Sequence, residues 1–105
     1  MTDNTKTILR EDLRIKGDVF EKEDIEIYGK IEGNVKAERI ELEEKGVIKG
    51  NLNSNHASLD GVVIGDINSE KVNILKSAEI EGSIKQKSLS IEEGAKLKIK
   101  TETSK

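Results

Sequence analysis

The sequence predicts an all-β solenoid in which each coil of the chain stacks on the coil before it. The first observation is a phrase that alternates glycine or an aliphatic residue with a polar residue, as in Gly29–Val35 (GKIEGNV). This period of two is that of a strand with one face turned inward. The second observation is the regular return of a central glycine, at Gly17, Gly33, Gly50, Gly65 and Gly82. So short and steady a period indicates one solenoid coil per repeat.

A third observation comes from aligning the coils on these glycines. One inward column then reads Ile15, Ile31, Ile48, Val63 and Ile80, and a second reads Val19, Val35, Leu52, Ile67 and Ile84. In a parallel ladder such residues lie about 4.8 Å apart and pack as continuous apolar stacks. The outward column after the glycine holds short polar residues suited to a side-chain ladder, namely Asp18, Asn34, Asn51, Asp66 and Ser83. We therefore predict parallel coils in this register, with a length of about 15–17 residues each.

Composition bounds the kind of protein that this sequence encodes. The 105 residues suit one domain, 37% of them are charged, and cysteine is absent, which leaves no disulfide frame and no thiolate zinc site. The net charge of −3, with both signs interspersed, offers no basic stripe for a nucleic acid. Because no apolar run approaches the roughly 20 residues that span a bilayer, we expect a cytoplasmic protein.

Taken in order, the chain divides into a tail, a solenoid and a second tail. We predict a disordered N-terminal tail over residues 1–6, a β-helix over residues 7–101 and a short tail over residues 102–105. Each glycine-centred segment such as Gly29–Val35, called a long phrase here, is followed by a shorter apolar-polar-apolar segment such as Ile25–Ile27, called a short phrase. The gap from there to the next long phrase alternates between short and longer as far as Ala78, and the last gap is again a longer one. Coil length therefore varies only at the corners. The last phrase has Ile99 where a glycine is expected.

The central glycines also have an alternative interpretation, as hairpin turns of an antiparallel sheet. That arrangement requires Asn-Gly or Asp-Gly turns between strands, and the one Asp-Gly pair, at Gly61, has no counterpart in the other coils. In a solenoid, glycine removes volume where three walls meet and permits a bend without strain at Cβ. We favour the solenoid.

Little in the sequence points to catalysis. His56 is the only histidine, and we place it at a solvated corner, as we do Glu43, Glu44, Glu92 and Glu93. The glycine phrases lack the Gly-Lys-Ser/Thr of a phosphate loop and the glycine-rich calcium nonapeptide. A left-handed β-helix acyltransferase requires a strict hexapeptide repeat, three to a coil, and the coils of this chain are shorter than that. We predict no enzyme activity, and no catalytic, cofactor-binding or metal-binding residues.

The two ends of the solenoid are its unusual feature. A solenoid needs a polar cap at each end, because its last coil exposes core and unpaired backbone. Here apolar residues stand at both ends, Ile8, Leu9 and Leu13 at one and Leu97 and Ile99 at the other. Stacking of further copies at both ends would continue the core and produce a filament.

The successive Ile-x-Gly-x-Val/Ile/Leu phrases with their intervening apolar-x-apolar pairs resemble the bactofilins, over residues 7–97. This resemblance implies a right-handed, three-sided parallel β-helix of about six coils. It also implies nucleotide-independent assembly into apolar filaments through head-to-head and tail-to-tail contacts. By position, the N-terminal contact would include Ile8, Leu9, Leu13, Ile15 and Val19, and the C-terminal contact Leu89, Ile91, Leu97 and Ile99.

The resemblance further implies a scaffold that works near the membrane in cell shape or in the placement of cell-envelope and cell-wall proteins. Many family members attach to the membrane through a short apolar N-terminal segment. Residues 1–6 are polar, so we expect any membrane placement to run through partners. The alternative is a non-polymerising module that presents a lateral face, with outward Tyr28, Ile64 and Leu75, to another protein.

Overall fold

The computed structural model describes residues 7–103, which contain strands and turns and no helix. Side chains are described over residues 8–98. The strands in chain order are β1 (Thr7–Leu9), β2 (Arg14–Lys16), β3 (Val19–Phe20), β4 (Asp24–Ile27), β5 (Lys30–Glu32), β6 (Val35–Lys36), β7 (Arg39–Leu42), β8 (Val47–Lys49), β9 (Leu52–Leu59), β10 (Val62–Ile74), β11 (Glu79–Gln86), β12 (Ser88–Ile91) and β13 (Lys96–Thr103).

These strands form a three-sided parallel β-helix, as predicted. Face 1 is the ladder β1-β4-β7-β9-β10-β12, which contains the short phrases. Face 2 holds the part of each long phrase before the glycine, in β2-β5-β8-β10-β11-β13. Face 3 holds the part after it, in β3-β6-β9-β10-β11-β13. Each face thus has six rungs separated by five turns within the described residues. Every pairing is parallel, which excludes the hairpin arrangement.

The core is a set of aliphatic columns, one or two for each face. The predicted register is confirmed, since Ile15 pairs with Ile31 and Ile31 with Ile48, and Val19 pairs with Val35. In the middle rungs these side chains are sealed from solvent, and Ile48 is 0% exposed. Because each side chain packs on a like neighbour one rung away, burial stabilises the helix along its whole axis.

The corner between faces 2 and 3 requires glycine in the first five coils, whereas Ile99 stands there in the sixth. The five central glycines have φ angles between 131° and 149°, a region that side chains with a Cβ rarely adopt. A Cβ on Gly33 would also meet the carbonyl oxygen of Gly17, and one on Gly50 that of Gly33. At Gly17 the same Cβ would meet nothing within 4 Å, because no coil among the described residues precedes the one that holds it.

The corner between faces 1 and 2 explains the alternating gaps. Four of these corners are turns closed by a backbone hydrogen bond, for example from Gly46 N–H to the Glu43 carbonyl at 2.8 Å. The corners at Gly29 and Gly61 are shorter. A Cβ on Gly29 would meet the carbonyl oxygens of Arg10 and Leu13 in the neighbouring turn. The short corner at Gly29 leaves no room for a Cβ beside the longer turn of the neighbouring coil, so only glycine fits there.

The polar column after the glycines forms the predicted side-chain ladder on face 3. Asp18 Oδ1 accepts a hydrogen bond from the backbone N–H of Asn34 at 3.1 Å, and Asn34 Oδ1 accepts one from Asn51 at 3.2 Å. The row continues through Asp66 to the hydroxyl of Ser83, which donates to Asp66 Oδ1 at 2.7 Å. Each link therefore ties one coil to the next outside the core.

The predicted domain boundaries stay predictions. The N-terminal tail over residues 1–6 lies outside the described residues, as do residues 104–105. Strand β13 continues to Thr103, past the predicted end of the solenoid at Thr101.

Candidate functional site: the two ends of the β-helix

The N-terminal end exposes the first member of each apolar column. Leu9, Ile15 and Val19 point inward and pack on the core, but they are only partly buried. Their neighbours one rung further along are sealed, at 0% exposure for Ile27 and Val35. The difference arises because nothing among the described residues covers the first rung.

Two further residues predicted for this end take different positions. Ile8 is in register with Glu26 and so lies on the outward side of face 1, 44% exposed, next to the inward Leu9. Leu13 closes the first corner turn and is 39% exposed at the rim. The end surface is therefore Leu9, Ile15 and Val19, with Leu13 at its rim and Ile8 on the adjoining side.

Sequence reasoning missed Phe20 at the same end. Its side chain is 74% exposed on face 3, in register with Lys36. The signal was present, since Phe20 follows the inward Val19 and must therefore point outward. It extends the apolar rim of the first rung.

The C-terminal end repeats this arrangement. Leu89 and Leu97 are partly buried against the core, and Ile91 is 47% exposed although its neighbour Ile74 is 0% exposed. Ile99 is in register with Gly82, and its side chain lies outside the described ones. Leu89, Ile91 and Leu97 thus lie together on one end of the helix.

The backbone at both ends is also open. Strands β1, β2 and β3 each pair with one later strand, and β12 and β13 each pair with one earlier strand, within the described part of the chain. Such edge strands present N–H and C=O groups that a further strand can pair with. Each end therefore combines apolar side chains with an unpaired strand edge.

Face 1 holds a cluster of carboxylates that the sequence analysis assigned in part to a solvated corner. Carboxylate oxygens of Glu26, Glu41 and Glu43 all lie within 4.8 Å of one another. Burial raises the pKa of the Glu43 carboxyl, and the negative charges of Glu26 and Glu41 and then Asp60 raise it further. Glu43 is thus half-buried among like charges rather than simply solvated. Oxygen ligands of this kind suit hard cations, although exposed acidic groups often lie together without one.

His56 also differs from its predicted position. It lies inside β9 on face 1, half-buried, in register with Arg39 and Lys71, rather than in a corner loop. Neither neighbour is a carboxylate that could orient the imidazole as a general base.

A polar groove of about 730 Å³ follows the corner between faces 3 and 1. Its inward positions hold small or amide side chains in place of aliphatic ones, and Ser54 Oγ lies 3.1 Å from Ser69 Oγ. Ala37, Ser69 and Gln86 complete its buried floor. The core is therefore apolar on two corners and polar on the third.

These features define a class of protein, a parallel β-helix whose two ends are left open by the described residues. Residues 7–102 match the family described as "Bactofilin: Polymer-forming cytoskeletal". No helix in the described part of the chain is long and apolar enough to cross a membrane.

Known proteins agree with this assignment. The chain is 31% identical over 91 residues to bactofilin BacP of Myxococcus xanthus (strain DK1622), covering 85% of this chain and 38% of BacP. It is 28% identical over 94 residues to BacO of the same organism, covering 88% of this chain and 75% of BacO. The bactofilin BacA structure from solid-state NMR superposes with a TM-score of 0.89 at 25% identity, over 97% of this chain and 99% of that one.

The chain belongs to the bactofilin family of polymer-forming cytoskeletal proteins. The family description, polymer-forming and cytoskeletal, is that of a structural protein. The chain spans little more than a third of BacP and three quarters of BacO, so what those whole proteins do is not transferred with the fold.

Proposed function

We propose that this chain self-assembles end to end, without nucleotide, into apolar filaments that scaffold proteins of the cell envelope. One observation carries the proposal, the loss of burial in the same apolar columns at both ends. Ile31 and Ile80 are sealed, whereas their outer neighbours Ile15 and Leu97 are only partly covered. A second copy stacked on either end would remove this surface from water and pair the open strand edges. Two such ends on one molecule support a polymer.

An apolar filament, in which like ends meet, is supported by the last rung. The glycine column reaches Gly82 and is followed by Ile99, and the polar ladder reaches Ser83 and is followed by Lys100, a residue type whose side chain has no acceptor atom. A head-to-tail stack would place rung 1 on this altered rung and break both columns. Head-to-head and tail-to-tail contacts avoid that junction.

Family membership supports the cellular part of the proposal. Bactofilins are cytoskeletal, and we place this one in the cytoplasm, at the inner face of the membrane through cell-envelope or cell-wall partner proteins. The Gly-Lys-Ser/Thr motif of a phosphate loop does not occur in the sequence, which is consistent with assembly that needs no nucleotide.

The test is negative-stain electron microscopy of the purified protein without nucleotide. Wild type is compared with Leu97→Lys, which puts a charge on the C-terminal end, and with Ile64→Lys, which puts the same charge on face 2. Ile64 is 40% exposed and lies mid-ladder, so it is a matched control away from both ends. We expect filaments from wild type and Ile64→Lys and short particles from Leu97→Lys.

Circular dichroism checks that each variant keeps its β structure, and Ile91→Lys replaces Leu97→Lys if that variant unfolds. Filaments in all three proteins would mean that Leu97 is not part of the contact between subunits. Compact particles from wild type would overturn the filament.

If wild type forms only compact particles, the second candidate function applies, a non-polymerising module that binds a partner protein. It is favoured by an apolar strip on face 2, where the exposed Ile64 lies beside the half-buried Val62 and Val47. Ile64→Lys would then abolish capture of the partner, and Leu97→Lys would not.

A further inference from the structure

The polar groove between faces 3 and 1 runs along the helix axis and crosses one coil after another. It extends from Phe20 in the first coil to Lys87 in the fifth, a span of four rungs or about 19 Å. Its volume of about 730 Å³ lies in the range of ligand sites, about 300–1,000 Å³. The groove exists because Ala37, Ser54 and Ser69 leave space where larger side chains fill the other corners.

The middle of the groove is uncharged and rich in hydrogen-bonding groups. Asn53 and Asn68 are exposed neighbours in the ladder, and within the described part of the chain neither side-chain amide is hydrogen-bonded to another residue. Each amide offers two donors and one acceptor oxygen. Beneath them, Ser69 Oγ donates to the Lys71 carbonyl at 3.3 Å. The Ser54 hydroxyl, 3.1 Å from Ser69 Oγ, therefore donates to it and keeps its own lone pairs open.

The charged side chains of the groove nearly cancel one another. Four lysines and three glutamates line it, which leaves an excess of one positive charge. Glu38 accepts a hydrogen bond from Asn55 Nδ2 at 2.7 Å, and Glu70 Oε1 lies 3.8 Å from Lys87 Nζ. A polyanion would meet the carboxylates and a polycation the lysines. This lining therefore favours a ligand that is polar and neutral.

The backbone around the groove disfavours a polypeptide as its occupant. The strands cross the groove, and their N–H and C=O groups already pair with the coils on either side. An extended peptide in the groove would thus find no open strand edge to continue. An amphipathic helix requires an apolar groove, and this floor is polar.

We propose that the groove binds a neutral, extended oligosaccharide of β-1,4-linked pyranose rings that lies along the helix axis. Such a ring is about as long as one rung is high, so successive rings meet equivalent positions in successive coils. The sugar hydroxyls supply donors and acceptors to Asn53, Asn68 and Ser54. At one end Phe20 is 74% exposed, and its ring offers an apolar surface to the C–H face of a sugar.

The proposed sugar site is independent of end-to-end assembly. Asn53 and Asn68 lie in the third and fourth coils, away from both end surfaces. The oligosaccharide should therefore bind single subunits as well as filaments. Failure of the filament would leave this site standing, and failure of the site would leave the filament standing.

Equilibrium dialysis measures the binding in any state of assembly. The wild-type protein is dialysed against end-labelled, β-1,4-linked oligomers of glucose or of N-acetylglucosamine with two to six rings. Asn53→Leu/Asn68→Leu removes both free amides, and Asn73→Leu is the matched control. Asn73 is likewise exposed but lies on face 1, in register with Ser58 and Ser90. If circular dichroism shows that the double variant has lost its β structure, Asn53→Ala/Asn68→Ala replaces it.

We expect the affinity of at least one sugar series to rise with length and to level off at about four rings, the number of rungs that the groove spans. The double variant should weaken binding roughly tenfold, because it removes two sites of hydrogen bonding. Asn73→Leu should leave binding unchanged. An oligogalacturonate, which carries carboxylates, and a Ser-Asn peptide of equal length should bind more weakly than the neutral sugar.

Three results would each overturn the site: no binding of either sugar series, an affinity that does not change with length, or equal affinities for wild type and the double variant. Tighter binding of the oligogalacturonate or of the peptide, lost in the double variant, would also overturn the proposal. The groove would then belong to an acidic polymer or to an extended polypeptide.

Discussion

At the scale of single residues, the central glycines allow two costs of adding a Cβ to be measured separately. One is backbone strain at a positive φ, and the other is collision with the neighbouring coil. Gly50 and Gly17 share a positive φ, but only Gly50 lies against the carbonyl of the coil before it. We expect Gly17→Ala to lower the free energy of unfolding by about 1–3 kcal/mol, the cost of a strained backbone. Gly50→Ala should lower the free energy of unfolding clearly more, since the coil that contains Gly33 must also move to make room for the Cβ.

Urea unfolding in a Leu97→Lys background, which keeps the protein unassembled, measures both variants. Equal losses at the two positions would mean that φ alone requires glycine and that the carbonyl contact does not matter.

Glu43 makes a pH-dependent contribution whose sign is fixed by its surroundings. Because the pKa of its carboxyl is raised in the folded state, folding favours the protonated form. This stabilisation is present at acidic pH and is lost as pH rises through the raised pKa. At neutral pH the ionised group therefore opposes folding, and Glu43→Gln should raise the thermal midpoint.

The gain from Glu43→Gln should shrink as the solution is acidified into the ordinary titration range of a glutamate. Glu44→Gln, in the same turn but exposed, is the control and should change the midpoint little at either pH. A gain from Glu43→Gln that grows on acidification would contradict the assigned sign.

At the scale of the coil, the sequence predicted register and facing because each coil repeats two simple rules. Alternation with a period of two decides which residues face inward, and the glycine fixes where coils align. The columns from Ile15 to Ile80 and the ladder from Asp18 to Ser83 follow from these rules alone.

Features that depend on irregular segments were harder to predict. Ile8 was assigned to the end contact as an apolar residue by its position in the chain. The pairing of β1 with β4 instead places it on the outward side of face 1, in register with Glu26. His56 was assigned to a corner between Asn55 and Ala57, yet β9 continues through that corner. The groove was missed because a column of Ala, Ser and Gln has no hydrophobic signal, and the carboxylate cluster because its members come from different coils.

At the scale of the whole molecule, six rungs about 4.8 Å apart give a subunit that extends about 29 Å along the axis. If like ends meet, the filament repeats only after two subunits, at about 58 Å. Fibre diffraction of aligned filaments measures this repeat together with the spacing of the strands. A repeat of one subunit length, half that value, would indicate head-to-tail stacking and contradict the apolar arrangement.

The corner turns between faces 1 and 2 have a practical use. The turn from Leu75 to Ala78 is one of the longer ones, it is exposed at Lys76 and Ser77, and it lies on the fifth coil. The backbone N–H of Lys76 donates to Glu92 Oε1 at 3.1 Å and that of Ser77 to Asp60 Oδ1 at 3.2 Å, so this turn is tied to the coil on either side of it. The repeat itself already tolerates corners of two lengths here. A fluorophore on Ser77→Cys, which would be a unique thiol because the sequence has no cysteine, would mark the living polymer through an exposed side chain and leave both backbone hydrogen bonds in place.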